Sequence, residues 1–361
     1  MDDAVTSVTA RAYTIPTDRP EADGTLEWDS TTMVIADVSA GGVNGLGYTY
    51  ASRAVVLLIM DYLAPAITGV SASDIAAAMR RMQRATRNLG VTGQVAYAIS
   101  AIDTALWDLK ARLLGVSLAE LMGTTKRAMP VYGSGGFTTY DEKAITSQIA
   151  AWRDNGITMV KIKIGARPEQ DPKRVATARQ ALDDDDKLFV DANGAYSVKQ
   201  ALDFSGRFAD EGVSWFEEPV PSDDLKGLHF IRNRAPAGMD ITAGEYGDSP
   251  LYMKRMLAAQ AVDVLQIDAT RCQGYSGFIQ AAALAAAASI PVSSHCAPAL
   301  HLPVCCHIGA RHIEYFHDHC RIEKMMFDGV PPVVNGALTP DFSRPGHGLS
   351  LKRVDAEKYA A

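Results

Sequence analysis

The sequence predicts an α/β fold, a modified (β/α)8 barrel preceded by a small α+β capping domain. Two observations carry this prediction. Beyond residue 127, short apolar strand segments alternate strictly with helical segments. Successive strands also end in a polar or charged residue, and these residues recur at intervals of 19 to 28 positions from Lys163 to Glu314. Because catalytic groups of barrel enzymes lie at the carboxyl ends of the strands, this regular spacing predicts one shared site.

Composition excludes several classes of protein. The chain has 361 residues, of which 47% are hydrophobic and 21% charged, and its net charge is -7. The absence of a basic stripe argues against a nucleic-acid partner. No run approaches the roughly 20 apolar residues that span a bilayer, so no membrane partner is expected. The N-terminus lacks the features of a signal peptide, and the five cysteines are an odd number. We therefore expect a cytoplasmic protein with reduced thiols.

The first part of the chain predicts three antiparallel strands and then helices. Strand-like segments cover residues 4–14, 30–37 and 44–50. Ser73 and Asp74 predict the start of a helix that runs through Met82, and a longer apolar helix ends near Gly115. We expect residues 1–126 to form the capping domain, completed by a tail of about 330–361, and residues 127–329 to form the barrel.

Residues 16–29 are predicted to form a long polar loop. Such loops in compact domains are either binding lids or surface turns, and both alternatives remain open here. As a lid it would present Arg19, Glu21, Glu27 and Trp28, which would either choose the substrate or only face solvent.

Eight strands are predicted in the barrel, each but the last followed by a helix. They cover residues 129–132, 159–163, 187–191, 215–217, 241–243, 264–267, 291–293 and 313–315. The alternative is an open doubly wound sheet, which needs a glycine-rich phosphate turn after its first strand. The glycines at 133–136 lack the spacing and the following helix, so the barrel is favoured.

Three carboxylates close successive strands: Asp191, Glu217 and Glu245. An oxygen-rich set on adjacent strands is typical of a Mg²⁺ site. The alternative is that the carboxylates pair with Arg or Lys. Glu217 and Glu218 are neighbours and point to opposite faces, and the pattern does not decide which one faces the rim.

Lysine and histidine supply candidate bases. Lys161 and Lys163 are two apart on one strand and share a face. Their mutual repulsion and burial are expected to lower the pKa of each toward the range of a general base; the alternative is two solvated lysines. Asp268 lies one strand before His295 and is expected to fix its tautomer. Glu314 either hydrogen-bonds a substrate oxygen when protonated or pairs with Arg311.

These residues resemble the enolase superfamily, specifically the mandelate racemase branch of its mandelate racemase/muconate lactonizing enzyme family. The resemblance spans nearly the whole chain. It rests on seven motifs in order: Lys161-Ile-Lys163, Asp191-Ala-Asn193, Glu217-Glu218-Pro219, Gly244-Glu245, Gln266-Ile-Asp268, Ser294-His295 and Glu314-Tyr315. The segment 270–274 departs from many relatives, which often carry a glycine pair there.

The resemblance implies roles for these residues. Asp191, Glu217 and Glu245 would bind one Mg²⁺ per active site. Lys163, helped by Lys161, would act on one face of the substrate, and His295, oriented by Asp268, on the other. Glu314 would donate to the substrate carboxylate, Asn193 would line the site, and the loop with Arg19 and Trp28 would help to set specificity. The resemblance also makes a homo-oligomer the expected state.

The implied chemistry is removal of the proton next to a carboxylate of a small molecule, through an enediolate that Mg²⁺ stabilises. If the second group then protonates a neighbouring hydroxyl, water leaves, and a sugar acid becomes a 2-keto-3-deoxy acid. This hydro-lyase reaction on an aldonate or aldarate is the favoured prediction. The alternatives are a racemase, epimerase or cycloisomerase that uses the same pair, and a non-catalytic barrel that binds carboxylates.

Overall fold

The N-terminal unit is a three-stranded antiparallel sheet packed on helices. A computed structural model describes residues 3–361. Its strands are β1 (Val5–Ala22), β2 (Glu27–Ala40) and β3 (Val43–Tyr50), paired in the order β1-β2-β3. Its helices are α1 (Ala54–Leu58), which continues through a π-helical turn (Ile59–Leu63) into α2 (Ala64–Ile67), then α3 (Ile75–Ala85), α4 (Gln94–Leu114) and α5 (Leu118–Met122).

Local signals explain the helix ends in this unit. The Asp74 carboxylate accepts a hydrogen bond from the Ala77 amide and begins α3, as its position predicted. Gly115 adopts the left-handed conformation, with φ of 69°, and ends α4. Helix α4 is almost entirely buried because it packs between β3 of its own sheet and a helix of the barrel.

The prediction of a loop over residues 16–29 was wrong, because β1 and β2 extend into a hairpin. Pro16 pairs with Ser30, and after an irregularity Glu21 pairs with Trp28. The tight turn at 23–26 is closed by Asp23, whose carboxylate accepts hydrogen bonds from the Thr25 and Leu26 amides. Polar side chains dominate this stretch, so its composition is that of a loop although its backbone is paired.

Residues 129–316 form the predicted parallel barrel. Its strands are β4 (Met129–Gly135), β5 (Met159–Lys163), β6 (Lys187–Asp191), β7 (Val213–Glu217), β8 (Asp240–Ala243), β9 (Val264–Ile267), β10 (Val292–Ser294) and β11 (Ile313–Phe316). Consecutive strands pair in parallel from β4 to β10, and β11 pairs with β4. A backbone hydrogen bond of 2.8 Å from Arg311 to Val292 helps to join the two ends of this ladder.

A helix follows every strand of the barrel. The helices are α6 (Glu142–Arg153), α7 (Asp171–Gln180), α8 (Val198–Asp210), α9 (Leu225–Arg232), α10 (Pro250–Ala258), α11 (Gly274–Ala287), α12 (Pro298–Ile308) and α13 (His317–Met326). The prediction that the last strand lacks a helix was therefore wrong. Helix α13 starts directly after β11 without a side-chain cap, so the usual signal for a helix start is missing from the sequence.

The C-terminal tail returns to the N-terminal unit. It contains β12 (Phe327–Asp328), β13 (Ala337–Leu338), β14 (Ser350–Leu351), α14 (Arg353–Ala356) and a 3-10 turn (Glu357–Tyr359). Arg112 donates to the Leu349 carbonyl at 2.7 Å, and the Ala361 amide donates to the Ala12 carbonyl at 3.1 Å. These contacts favour assigning the end of the tail to the capping unit, whereas β13 pairs with β4 of the barrel.

The capping unit covers the carboxyl ends of the barrel strands. The Tyr48 hydroxyl donates to Glu323 at 2.6 Å, and Thr49 donates to the Thr270 carbonyl at 2.7 Å. At the hairpin turn, Gly24 lies so close to the barrel that a Cβ atom would stand 2.3 Å from the Ala192 carbonyl oxygen. The hairpin thus closes over the barrel mouth. Within residues 3–361, no helix is both long and apolar enough to cross a membrane.

We predict that Gly24→Ala loosens this closure. Its methyl group would clash with the Ala192 and Ile164 carbonyl oxygens, so the turn must move away. Overpacking of this kind costs about 1–3 kcal/mol. Limited proteolysis should cleave the hairpin faster, and urea titration should give a lower free energy of unfolding. Gly238→Ala, where a Cβ meets no atom within 4 Å, is the matched control. Wild-type protease resistance in Gly24→Ala would contradict this.

Candidate active site

The predicted rim residues converge at the barrel mouth. In the strand register, Lys163 pairs with Asp191, and Asp191 pairs with Glu217. All three side chains are buried, with relative exposures of 5%, 0% and 0%. Glu245 follows β8, and His295 follows β10. Four strands separate β5 from β10 on one side of the ring and two on the other. Lys163 and His295 therefore approach from opposite sides of the mouth.

The three predicted metal ligands lie together between these two groups. Asp191, Glu217 and Glu245 each offer an oxygen, and these oxygens lie within 4.8 Å of one another. This grouping answers the open question about Glu217 and Glu218: Glu217 faces the cluster. Glu245 Oε2 is buried and has no hydrogen-bond partner. An orphaned carboxylate oxygen in an all-oxygen set fits a hard divalent cation such as Mg²⁺.

The charge balance of the barrel mouth also favours a bound cation. Its carboxylates outnumber its lysine and arginine cations by three, six against three: Asp191, Glu217, Glu218, Glu245, Asp268 and Glu314 against Lys161, Lys163 and Arg271. Burial, with Asp191 close by, raises the pKa of Glu217 to about 8. Burial, with Glu245 nearby, also raises the pKa of Glu218 well above its usual range. A divalent cation would relieve this excess of negative charge.

The prediction that the lysines have lowered pKa values was wrong for this arrangement of charges. Lys161 Nζ lies 2.6 Å from both Glu217 carboxylate oxygens and 2.8 Å from Glu314 Oε1. Lys163 Nζ lies 2.5 Å from Asp191 Oδ2. Burial lowers the pKa of each lysine, but the neighbouring carboxylates raise it by more, so both pKa values lie above the ordinary one. The sequence showed the two lysines together but not their partners.

Glu314 also differs from its predicted state. Its oxygens accept hydrogen bonds from the Ser134 hydroxyl and the Cys296 amide, both at 2.7 Å, and pair with Lys161. Burial raises the pKa of Glu314, but Lys161 lowers it by more, so its pKa lies well below the usual range. A protonated Glu314 that donates to a substrate is thus not the state seen here. The alternative partner Arg311 binds Asp240 instead, at 2.6 Å.

His295 and Asp268 form the predicted pair. His295 Nδ1 lies 2.8 Å from Asp268 Oδ2, so Nδ1 carries the proton and Nε2 offers a lone pair. His295 Nε2 lies 3.5 Å from Glu245 Oε2, beside the carboxylate cluster. The desolvation of the Asp268 carboxylate raises its pKa, but its bonds to His295 and His301 lower it by more, well below the usual range.

Two supporting residues were not predicted. His301 lies 3.4 Å from Asp268 Oδ1 and accepts a hydrogen bond from the Ala269 amide at 2.7 Å. Arg271 Nη1 lies 3.5 Å from Glu245 Oε1, and Arg271 Nε lies 3.7 Å from Asp268 Oδ2. A signal for Arg271 exists in the sequence, because it follows Asp268 by three positions. His301 lies on helix α12 and not at a strand end, so the spacing of the strand ends does not reveal it.

The residues predicted to bind substrate separate into three environments. Asn193 follows Asp191 and lines a cavity beside the carboxylate cluster. Trp28 packs edge-on against Phe137 and donates its indole proton to Glu21 at 2.9 Å. Arg19 is exposed above the Tyr140 ring and lines an outer cavity that includes none of the cluster residues. The geometry therefore does not bring Arg19 to the predicted site.

Family comparisons agree with this geometry. The model described as "Enolase C-terminal domain-like" matches residues 144–356. The model described as "Mandelate racemase / muconate lactonizing enzyme, N-terminal domain" matches residues 8–123. The chain belongs to the mandelate racemase/muconate lactonizing enzyme family. Both halves of this family's architecture, the capping domain and the barrel, are thus present.

Family members with assigned reactions differ in what they do. A D-galactarolactone cycloisomerase of Agrobacterium fabrum is 34% identical, over 59% of this chain and 57% of its own length. An L-talarate/galactarate dehydratase of Salmonella typhimurium is 31% identical over 75% of this chain and 69% of its own. An arabinonate dehydratase of Saccharolobus solfataricus is 28% identical over 94% of this chain and 92% of its own. Members of this one family therefore differ in both reaction and substrate.

Solved structures of the family superpose closely. A mandelate racemase/muconate lactonizing enzyme-like protein from Rubrobacter xylanophilus is 47% identical, with a TM-score of 0.97 over 99% of this chain and 100% of its own. A racemase from Streptomyces coelicolor with bound magnesium is 27% identical, with a TM-score of 0.91 over 99% of this chain and 100% of its own. The architecture of this chain is thus that of the family.

We predict that Glu21 makes stability depend on pH. Burial, with Asp318 nearby, raises its pKa to about 9 from the ordinary value of 4.5. Between these values the unfolded carboxyl loses its proton while the folded one keeps it. Each pH unit in that window therefore favours unfolding by about 1.4 kcal/mol. Glu21→Gln keeps an acceptor for Trp28 and should remove this loss of stability. Its free energy of unfolding, measured by urea titration, should therefore exceed that of the wild type at pH 8 but not at pH 4.5.

The exposed Glu27 of the same hairpin supplies the control for this prediction. Glu27→Gln should reproduce the wild-type dependence of stability on pH. If Glu21→Gln and wild type lose stability in parallel between pH 4.5 and pH 8, the Glu21 carboxyl does not keep its proton on folding.

Proposed function

We propose that this protein catalyses the Mg²⁺-dependent dehydration of a sugar acid to a 2-keto-3-deoxy acid. The observation that carries the proposal is the placement of Lys163 and His295 on opposite sides of the mouth, with Asp191, Glu217 and Glu245 between them. Dehydratases of sugar acids among the relatives support the choice of reaction.

Asp191, Glu217 and Glu245 would hold the cation. Bound there, Mg²⁺ would supply positive charge that stabilises the enediolate formed when a proton leaves the carbon next to a carboxylate. The magnesium in the Streptomyces coelicolor racemase supports this choice of metal. The carboxylates now hold the lysine ammonium groups, so sharing them with a cation would weaken their hold on Lys161 and Lys163.

The proton transfers fall to Lys163 and His295. One of them removes the proton from the carbon next to the carboxylate, and the other gives a proton to the hydroxyl on the next carbon, which leaves as water. Asp268 holds His295 in the tautomer whose Nε2 accepts or returns a proton. The hairpin and capping unit bury these groups, so bulk water is kept from the reacting carbon.

A second candidate function is cycloisomerisation or epimerisation by the same pair. It is favoured by the similarity to the D-galactarolactone cycloisomerase. Dehydration and this second candidate both begin by removing the proton next to the carboxylate. They differ in where the second group delivers its proton, so the same side chains can serve either function.

We predict that Mg²⁺ stabilises the fold through the carboxylate cluster. Magnesium at about 100 times its dissociation constant should raise the free energy of unfolding by about 2.7 kcal/mol. The metal-stripped protein should recover its melting temperature when Mg²⁺ is added. Glu245→Gln should lose this response, whereas Glu211→Gln, a change at a half-buried position elsewhere on the barrel, should keep it. An equal response in Glu245→Gln would remove Glu245 from the metal site.

We predict that Lys163→Ala and His295→Asn each lower turnover about 100- to 10,000-fold, because each removes a proton-transfer group. The assay incubates aldonates and aldarates with Mg²⁺ and detects 2-keto acid with semicarbazide. The exposed Lys173→Ala is the control. Wild-type turnover in either site variant would show that the reaction centre lies elsewhere, and binding without turnover by the wild type would favour a non-catalytic barrel.

The same incubation in D₂O separates the two candidate reactions. Dehydration produces 2-keto acid, visible by NMR. Epimerisation incorporates deuterium next to the carboxylate without keto acid, and cycloisomerisation yields a constitutional isomer without loss of water. Deuterium exchange or isomer formation alone would replace the dehydratase proposal with the second candidate.

A further inference from the structure

A cavity of about 660 Å³ is lined in part by residues that adjoin the carboxylate cluster in the chain. Three of its lining residues follow the cluster carboxylates in the chain: Asn193 comes two positions after Asp191, and Glu218 and Tyr246 come directly after Glu217 and Glu245. The opposite wall is Thr92, Gly93 and Tyr97, at the start of α4 in the capping unit. This volume lies within the usual range of ligand pockets, about 300–1,000 Å³.

The cavity is bordered by polar atoms that lack partners. Asn193 Oδ1 and Glu218 Oε1 are buried without a hydrogen bond. The Tyr252 hydroxyl is also buried; it lies beside Ser222 but makes no hydrogen bond of normal geometry. Buried polar atoms are rarely left unpaired, because each one has lost its hydrogen bonds to water without replacement. A ligand tail that carries several hydroxyl groups would satisfy all three.

The charge of the lining argues against a second carboxylate on that tail. Asp223, Asp248 and Glu218 line the cavity, and its one cationic lining residue among those described is Arg255, which is exposed. Even with Glu218 neutral, two carboxylates stand against one guanidinium. A terminal carboxylate would meet like charge there, whereas a terminal CH₂OH group would not.

We propose that this cavity binds the hydroxylated tail of the substrate, and that the substrate is a monocarboxylate sugar acid, an aldonate, rather than a dicarboxylate aldarate. The inference rests on the proposed function, since the substrate carboxylate is placed at the carboxylate cluster. The inference adds that the site accepts a substrate whose far end is a CH₂OH group and not a second carboxylate. The relatives leave this choice open, because one acts on an aldarate and another on an aldonate by name.

Equilibrium binding tests the inference independently of turnover. The Mg²⁺-loaded full chain is titrated by calorimetry with the stereoisomeric pentonates and hexonates and with the hexarate that matches each hexonate. At least one aldonate should bind ten-fold or more tightly than its matching aldarate. Tyr252→Phe should weaken binding of that aldonate about 2- to 10-fold, as expected for one lost hydrogen bond. It should leave binding of the two-carbon acid glycolate, which cannot reach the cavity, unchanged.

Charge variants supply the matched controls. Lys254→Gln, an exposed change next to Arg255 that does not line the cavity, should leave aldonate binding unchanged. Asp223→Lys should reduce the ratio by which the aldonate binds more tightly than its matching aldarate. Tighter binding of an aldarate by the wild type, with loss of that binding in Arg255→Gln, would overturn the inference. Equal effects of Tyr252→Phe on glycolate and on the aldonate would also overturn it.

The outcomes distinguish this inference from the proposed function. Aldonate binding that Tyr252→Phe weakens, without any 2-keto acid, would sustain the cavity assignment and remove the dehydratase proposal. Keto-acid formation from aldarates alone would sustain the dehydratase proposal and overturn the aldonate inference. A wild type that binds no aldonate overturns the inference whatever the enzyme turns over.

Discussion

The site depends on a buried imbalance of charge. Asp191, Glu217 and Glu245 sit in a place that water does not reach, and two lysines and an arginine do not neutralise the whole set of carboxylates around them. Isolated buried charge is costly, so the fold tolerates this arrangement only with a proton or a cation present. In this structure, the raised pKa values of Glu217 and Glu218 reduce the excess of buried negative charge. A bound divalent cation would neutralise this negative charge while the ligand carboxylates stay ionised.

Closure of the barrel mouth strengthens the electrostatic interactions among these buried charges. The hairpin turn rests on the carbonyl groups that follow β5 and β6, where Gly24 leaves room for no side chain. Tyr50 of the capping unit stacks on His319 of α13, with 3.5 Å between the ring centroids. With water excluded, each charge pair inside acts at a lower effective dielectric than at a surface. The capping unit thus contributes to the chemistry although it supplies none of the residues assigned to proton transfer.

Most of the architecture could be predicted because its signals are local. The strand ends at Lys163, Asp191 and Glu217 were marked by charge after apolar runs, and the start of α3 by a capping residue. The hairpin over residues 16–29 was missed because its pairing joins polar residues, although Asp23-Gly24 is a turn signal. Composition describes side chains, and here the backbone pairing set the structure.

The protonation states could not be predicted because they depend on partners from distant strands. Lys161 and Lys163 were expected to repel each other, which is correct, but the carboxylates of β6, β7 and β11 outweigh that repulsion. The direction of a pKa shift is set by the sum over all neighbours, and sequence spacing showed only one of them. Glu314 was misjudged for the same reason: its partner is Lys161, from a strand two places away in the sheet order.

Backbone conformation explains how neighbouring residues serve two different tasks. Asn193, Glu218 and Cys296 adopt positive φ angles of 45°, 38° and 51°, which non-glycine residues rarely take. Such residues cost of order 1–3 kcal/mol and cluster where function requires them. At Glu218 the turn lets Glu217 face the metal-ligand cluster while Glu218 borders the adjoining cavity. One strand end thereby supplies both the group that would hold the cation and a group that would read the substrate, so a change of substrate by mutation need not disturb the chemistry.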